Sequence, residues 1–196
     1  MTGKNRHFTL FQSHLDLAHR YWQELINPGD LAIDATAGNG YDTILLANMV
    51  GLNGRVISFD IQLAAIESTR IKLDAEQLVN RVELIHGSHE IFPETIQSNS
   101  VSLVVYNLGY LPGGDKNCFT RVDSTLTSVR SAANLIKPGG MISITCYPGH
   151  EEGAKEEKAI IETVSKWDPA VWSISRMEWL NRNHSPSLLL IQKSAI

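Results

Sequence analysis

Leu31-Ala32-Ile33-Asp34-Ala35-Thr36-Ala37-Gly38-Asn39-Gly40 is an apolar stretch that breaks into a small glycine-containing turn, and an apolar helical run begins near Tyr41. Leu31, Ala32 and Ile33 suit a strand covered on both faces, and Asp34 stands at its carboxyl end, where open parallel sheets receive their ligands. Gly38 and Gly40 let the backbone turn tightly and approach a bound molecule. Asp42 and Thr43 fall in the first turn of the following helix, whose amino end aims into the same crevice. A dinucleotide fingerprint needs a third glycine to admit a pyrophosphate, and Tyr41, Asp42 and Thr43 stand there instead. A carboxylate in the first helical turn repels a pyrophosphate but suits a cationic ligand. Tight glycine turns also serve packing alone, so this stretch by itself leaves the ligand open.

The 196 residues suit one domain over 1–196, with a lead-in helix in 1–29 and a core in 30–196. A content of 43% hydrophobic and 19% charged residues is ordinary for a soluble globular protein. Residues 1–8 carry Lys4 and Arg6 but no apolar signal segment, and no apolar run approaches the about 18 residues of a membrane span. A cytoplasmic protein without membrane association is expected. Cys118 and Cys146 are too few for a disulfide framework or a cysteine zinc site. A net charge of −4 argues against broad wrapping of nucleic acid, while a local basic patch can still hold a short piece of RNA.

Residues 10–26 place Leu15, Leu17, Ala18, Tyr21, Trp22, Leu25 and Ile26 near helical spacing, and Pro28-Gly29-Asp30 leads into the first strand. His14 and His19 are not at the i, i+4 spacing of a helical metal pair, and His14 reads as a surface or packing residue, with cofactor contact as the alternative. Strands are expected over 55–60, 81–86, 101–107, 141–147, 171–179 and 187–193, with helices over 62–78, 89–97, 122–136 and 151–167. Strands separated by helices pair in parallel through right-handed crossovers, whereas the last two, joined by a short loop, form an antiparallel hairpin. The expected fold is therefore α/β: a Rossmann-like, doubly wound, seven-stranded sheet, mostly parallel with a C-terminal antiparallel hairpin, preceded by an N-terminal helix. The lead-in helix and the edge hairpin are surfaces through which two copies can pair as a homodimer.

S-adenosylmethionine carries an ammonium and a cationic sulfur, and so fits the acidic first turn. Residues 34–43, Asp-Ala-Thr-Ala-Gly-Asn-Gly-Tyr-Asp-Thr, resemble motif I of the class I methyltransferases and are close to a bacterial group long labelled ribosomal RNA methylases. Asp60 ends the second strand about twenty residues after Gly40, where a carboxylate accepts both ribose hydroxyls of an adenosine or, more simply, caps the next helix. His86-Gly87-Ser88-His89 sits where family members contact the adenine; Ser88 equally suits a helix cap, and the two histidines lack an acidic or cysteine partner for a metal. Asn107-Leu108-Gly109-Tyr110 resembles a pattern of methyltransferases acting on planar amines, with Leu-Gly in place of Pro-Pro. Residues 107–116, Asn-Leu-Gly-Tyr-Leu-Pro-Gly-Gly-Asp-Lys, match instead the signature of the bacterial group. Tyr147-Pro148-Gly149-His150 and residues 181–186 resemble two further segments of its pattern, or serve as a helix start and a polar hairpin turn.

The group is identified with tRNA methyltransferases acting on the 5-aminomethyl group of a 2-thiouridine at the wobble position. The resemblance implies S-adenosylmethionine held by Asp34, Thr36, Gly38, Asn39, Gly40, Asp42, Thr43, Asp60, Ile61, Gln62, Ser88, His89, Asn107, Leu108 and Gly109. It implies a substrate site formed by Tyr110, Gly113, Gly114, Asp115, Lys116 and Arg182, with the anticodon region of tRNA as partner. Holding the acceptor nitrogen in line behind the methyl can supply roughly 7–11 kcal/mol, and no metal is required. An aliphatic amine must also lose a proton before it attacks. Asn107, Tyr110, Asp115 and His150 are the candidate catalytic residues, the last three as proton acceptors or positioning groups. A ribosomal RNA or a small amine or carboxylate metabolite are alternative acceptors. A non-catalytic cofactor- or RNA-binding module is a further reading, against which the intact Asp34, Gly38, Gly40, Asp60 and Asn107 set argues.

Overall fold

The computed structural model describes residues 13–109 and 120–196. Ser13 is extended and its Oγ accepts the Asp16 backbone N–H at 3.1 Å, so helix α1 (His14–Leu25) begins there. Of the helix expected over 10–26, α1 accounts for 14–25, and residues 10–12 lie outside the described residues.

Strands β1 (Leu31–Asp34), β2 (Arg55–Asp60), β3 (Val82–His86), β4 (Val101–Asn107), β5 (Ile136–Cys146), β6 (Trp172–Met177) and β7 (Ser187–Lys193) form one sheet in the order β3-β2-β1-β4-β5-β7-β6. The β3, β2, β1, β4 and β5 neighbours pair in parallel, and β7 pairs antiparallel with both β5 and β6. Helices α2 (Tyr41–Val50), α3 (Leu63–Ala75), α4 (Val122–Leu135) and α5 (Glu151–Val164) make the crossovers. The strand order reverses between β1 and β4, which opens a crevice beyond their carboxyl ends.

Alternation along the central strands divides the core. Val104 and Tyr106 of β4 and Ile142 and Ile144 of β5 pack with Val129 of α4 and Ile160 of α5. Leu103 and Val105, one residue out of phase, face Ala18 and Trp22 of α1 and Leu46 and Val50 of α2. All six residues from Val101 to Tyr106 are buried, as a strand covered on both faces requires. Among the described residues, no helix is long and apolar enough to cross a membrane.

Two expectations fail for identifiable reasons. No helix forms over 89–97, where the chain runs in turns and the Ile96 N–H bonds the Pro93 carbonyl at 3.0 Å. Pro93 offers no N–H and disfavours helical backbone at Phe92. Strand β5 begins at Ile136 rather than Met141, with a register shift between Val101 and Leu103 that accommodates the Pro138-Gly139-Gly140 segment. At Gly140 a Cβ would lie 2.8 Å from the Ser102 carbonyl oxygen, so the two strands approach there too closely for any side chain.

Gly40 closes the first turn at φ +80, and a Cβ there would stand 2.7 Å from Thr69 Oγ1 on α3. Gly40→Ala is expected to destabilise the fold by at least about 2 kcal/mol, combining left-handed strain with overpacking. In denaturant titrations the double variant Gly40→Ala/Thr69→Ala should lose less than the sum of the single losses; strict additivity would show that the close approach carries no energy.

Candidate active site

The turn after β1 is held from below and from the side. Asp34 is fully buried; its Oδ1 accepts the Thr36 N–H at 3.1 Å and its Oδ2 accepts the Thr43 hydroxyl at 2.5 Å. Thr43 Oγ1 in turn lies 2.9 Å from Ser58 Oγ on β2. From the side, Asp60 Oδ2 accepts the Gly38 N–H and Oδ1 accepts the Gln62 N–H, each at 2.8 Å. Asp60 thus fixes the residue that precedes α3 and still presents spare lone pairs to the crevice.

Asp42 is oriented from two directions that local sequence does not reveal. His19 Nε2 of α1 lies 2.8 Å from Oδ1, and Asn107 Nδ2 of β4 donates to Oδ2. The Asn107 backbone N–H bonds Thr36 Oγ1 at 2.7 Å, joining β4 to the turn. Burial, followed by the neighbouring Asp42 charge, pushes the Asp34 carboxyl up to about 7, against the bonds from Thr43 and Thr36 and with Asp60 adding to the rise. Three carboxylates therefore crowd one turn.

Beside this turn opens a cavity of about 1330 Å³ at the β1/β4 reversal. Thr36, Gly38, Asn39, Asp42, Asp60, Ile61, Gln62, Ser88, His89, Asn107, Leu108 and Gly109 all lie in its wall. Asp34, Gly40 and Thr43 stand outside the wall and shape the turn that forms it. His150 lies in the wall, with Nδ1 accepting the Gly153 N–H at 3.0 Å as the cap of α5. Arg182 is outside the wall, its guanidinium stacked 4.1 Å over the Trp179 ring. Tyr110, Gly113, Gly114, Asp115 and Lys116 lie outside the described residues.

Leu15 of α1 and Thr120 also lie in the wall, where no sequence motif points to them, and so does Tyr147, at the head of the segment that follows the fifth strand. Tyr147 ends the expected fifth strand, a place where open sheets present ligand contacts, and that position was the available signal. Its hydroxyl lies 3.2 Å from His14 Nε2. Burial lowers the His89 ring to about 4, so it is neutral in ordinary buffers.

A family model described as "Putative rRNA methylase" matches residues 56–193. The chain belongs to this family. It is 39% identical over 191 residues to the chloroplastic tRNA (mnm(5)s(2)U34)-methyltransferase of Arabidopsis thaliana, across 91% of this chain and 68% of that protein. A crystal structure of an rRNA-methylase so named from Clostridium thermocellum superposes with a TM-score of 0.90 at 37% identity, covering 93% of this chain and 98% of the other. A Streptococcus mutans methyltransferase in complex with SAH superposes at 0.84 with 28% identity, covering 94% and 99%.

The protein is accordingly a methyltransferase that uses S-adenosylmethionine. The donor set fits a cationic ligand. Asn107 Oδ1 and His89 Nδ1 are buried polar atoms without partners in the wall, and the carboxylates of Asp42 and Asp60 lie alongside.

Asp60→Ala is expected to abolish measurable SAH binding in calorimetry while circular dichroism stays native; unchanged affinity would remove Asp60 from the cofactor site. Asp34 yields a pH test. Its folded value of about 7 exceeds the ordinary 3.8, so between these values the native state keeps a proton that the unfolded chain releases. Stability from this group falls as pH rises from about 4 to about 7 and is constant above. Asp34→Asn should flatten that slope in denaturation midpoints; an unaltered slope would assign it elsewhere.

Proposed function

We propose that this protein transfers the methyl group of S-adenosylmethionine to the amine of 5-aminomethyl-2-thiouridine at the wobble position of tRNA. The reading is carried by the 39% identity, over 91% of the chain, to an enzyme named for that modified nucleoside. The donor supplies an electrophilic methyl, and the chain's task is to bind, align and remove a proton. Asp60 accepts the ribose hydroxyls, Ser88 and His89 border the adenine, and Asp42 with Asn107 Oδ1 receives the ammonium of the methionine end. The Gly38-Asn39-Gly40 turn lies against the middle of the cofactor. Asn107, Leu108 and Gly109 then face the transferred methyl, and the segment bearing Tyr110, Gly113, Gly114, Asp115 and Lys116 holds the acceptor.

The wobble base must leave its stack to enter such a cavity, with Tyr110 as its stacking face. Arg121 and His184 lie in the wall, and Arg182 lies in the connection between β6 and β7. These suit contact with the anticodon backbone without broad charge, in keeping with a net charge of −4. A cytoplasmic setting and a homodimer complete the reading.

The test is incubation of the purified protein with labelled S-adenosylmethionine and tRNA carrying 5-aminomethyl-2-thiouridine, followed by nucleoside mass spectrometry. One methyl gained on that nucleoside is expected. Transfer into ribosomal RNA or a small amine alone would replace the acceptor, and RNA binding without turnover under saturating donor would overturn the catalytic reading. Asp115→Ala should slow single-turnover transfer by about a hundredfold at unchanged SAH affinity.

A further inference from the structure

We propose that Tyr147 and His14 form a proton relay, in which the Tyr147 hydroxyl contacts the acceptor amine and His14, behind it on α1, takes up the proton. The inference rests on the amine acceptor proposed above. Tyr147 directly follows β5 and lies in the cavity wall, whereas His14 does not. Tyr147 Oη is 3.2 Å from His14 Nε2, and the two rings meet edge to face with centroids 5.5 Å apart. A Cβ at Gly109 would stand 3.8 Å from Tyr147 Cδ2, so the phenol flanks the end of β4 where the acceptor nitrogen has to approach. The helix carrying His14 is fixed by the Ser13 cap, by buried Trp22 and by the contact of His19 with Asp42.

An aliphatic amine reaches the site as an ammonium and is not nucleophilic until deprotonated. The described acids of the donor pole serve the cofactor in this reading: Asp42, held by His19 and Asn107, faces its ammonium, and Asp60, held by two backbone N–H groups, turns its remaining lone pairs to the ribose. A phenolic hydroxyl can donate its own proton to an imidazole nitrogen while accepting another at oxygen. Burial holds His14 below its ordinary 6.5, with His19 lowering it and Asp16 and Asp42 acting in the opposite sense. Burial and the Asp42 charge push Tyr147 up to about 12. At neutral pH both groups are uncharged, which is the state a relay needs before transfer.

The balance is simple. The ammonium gives one proton to Tyr147 Oη as the phenolic proton moves to His14 Nε2, leaving a neutral amine and an imidazolium. The freed nitrogen lone pair forms the N–C bond as the methyl–sulfur bond breaks, and that electron pair stays on sulfur. The product is a secondary ammonium, and His14 returns its proton to solvent.

Two measurements test the pair. Single-turnover rates with saturating S-adenosylmethionine are read against pH for the wild type, His14→Gln and the near-isosteric Tyr147→Phe. The wild type should run level through neutral pH. Each variant should fall by about a hundredfold at pH 7, rise with pH as free amine becomes available, and converge on the wild type in alkali, with SAH affinity unchanged. A loss by the same factor at every pH, or no loss, overturns the relay. Independently, the imidazole titration of His14 is followed by NMR in the SAH complex. A midpoint below 6.5 that moves on Tyr147→Phe is expected, and an ordinary midpoint indifferent to Tyr147→Phe overturns it. A wild type that transfers nothing to aminomethyl-bearing tRNA removes the acceptor assignment, and the imidazole titration still decides the pair.

Discussion

The Gly38 N–H donated to Asp60 Oδ2 at 2.8 Å ties the turn after β1 to the end of β2, and the shape of the cavity follows from that tie. It holds the backbone of Gly38 at φ 52, which glycine tolerates, and keeps the turn open toward the crevice. From beneath, Asp34 binds Thr36 and Thr43, so the turn is clamped between two carboxylates. Neutral backbone and hydroxyl donors satisfy the oxygens of Asp34 and Asp60, whereas His19 and Asn107 reach Asp42 and Lys72 Nζ bonds the Asn39 carbonyl of the same turn. A cationic ligand beside Asp42 and Asp60 would enter the same electrostatic balance, so its binding and the stability of the turn are linked.

The lead-in helix is part of this arrangement. Trp22 and Ala18 bury one face of α1 against the sheet, and that packing delivers Leu15 to the cavity wall, His19 to Asp42 and His14 to Tyr147. Asn107 makes the corresponding link from the sheet, through its side chain to Asp42 and its backbone to Thr36. Helix, turn and central strand thus meet at one carboxylate. A displacement of α1 would be felt at the donor pole without any change in the turn itself.

Much of the fold is legible because its signals are local. The covered strands read as apolar runs, and Gly38, Gly40 and Asp60 follow a spacing set by one strand, one turn and one crossover. The failures are also physical. Pro93 defeats an apolar pattern that otherwise suits a helix, and the close approach at Gly140 draws the Lys137-Pro138-Gly139-Gly140 segment into the sheet. In the site, Asp34 and Thr43 read as wall residues from motif position, whereas burial puts them underneath. His14 reads as a packing residue because its partner is distant in sequence, and only the docking of α1 beside the end of β5 brings His14 and Tyr147 together. Residues 110–116, the larger part of the distinctive 107–116 motif, lie outside the described residues.

Strand β7 enters the sheet antiparallel between β5 and β6, so the β6–β7 connection emerges at the same edge as the carboxyl ends of the parallel strands. His184 and Pro186 reach the cavity wall from it, and the His184 carbonyl oxygen comes within 3.6 Å of where a Cβ on Gly149 would stand. The length of this connection is set by neither neighbouring strand, since the pairing of β7 with β5 fixes the register by itself. Insertions there would enlarge the mouth of the cavity and leave the donor pole intact. The β6–β7 connection and the turn that faces the donor are thus separate segments of the scaffold, and a change in the length of one leaves the other in place.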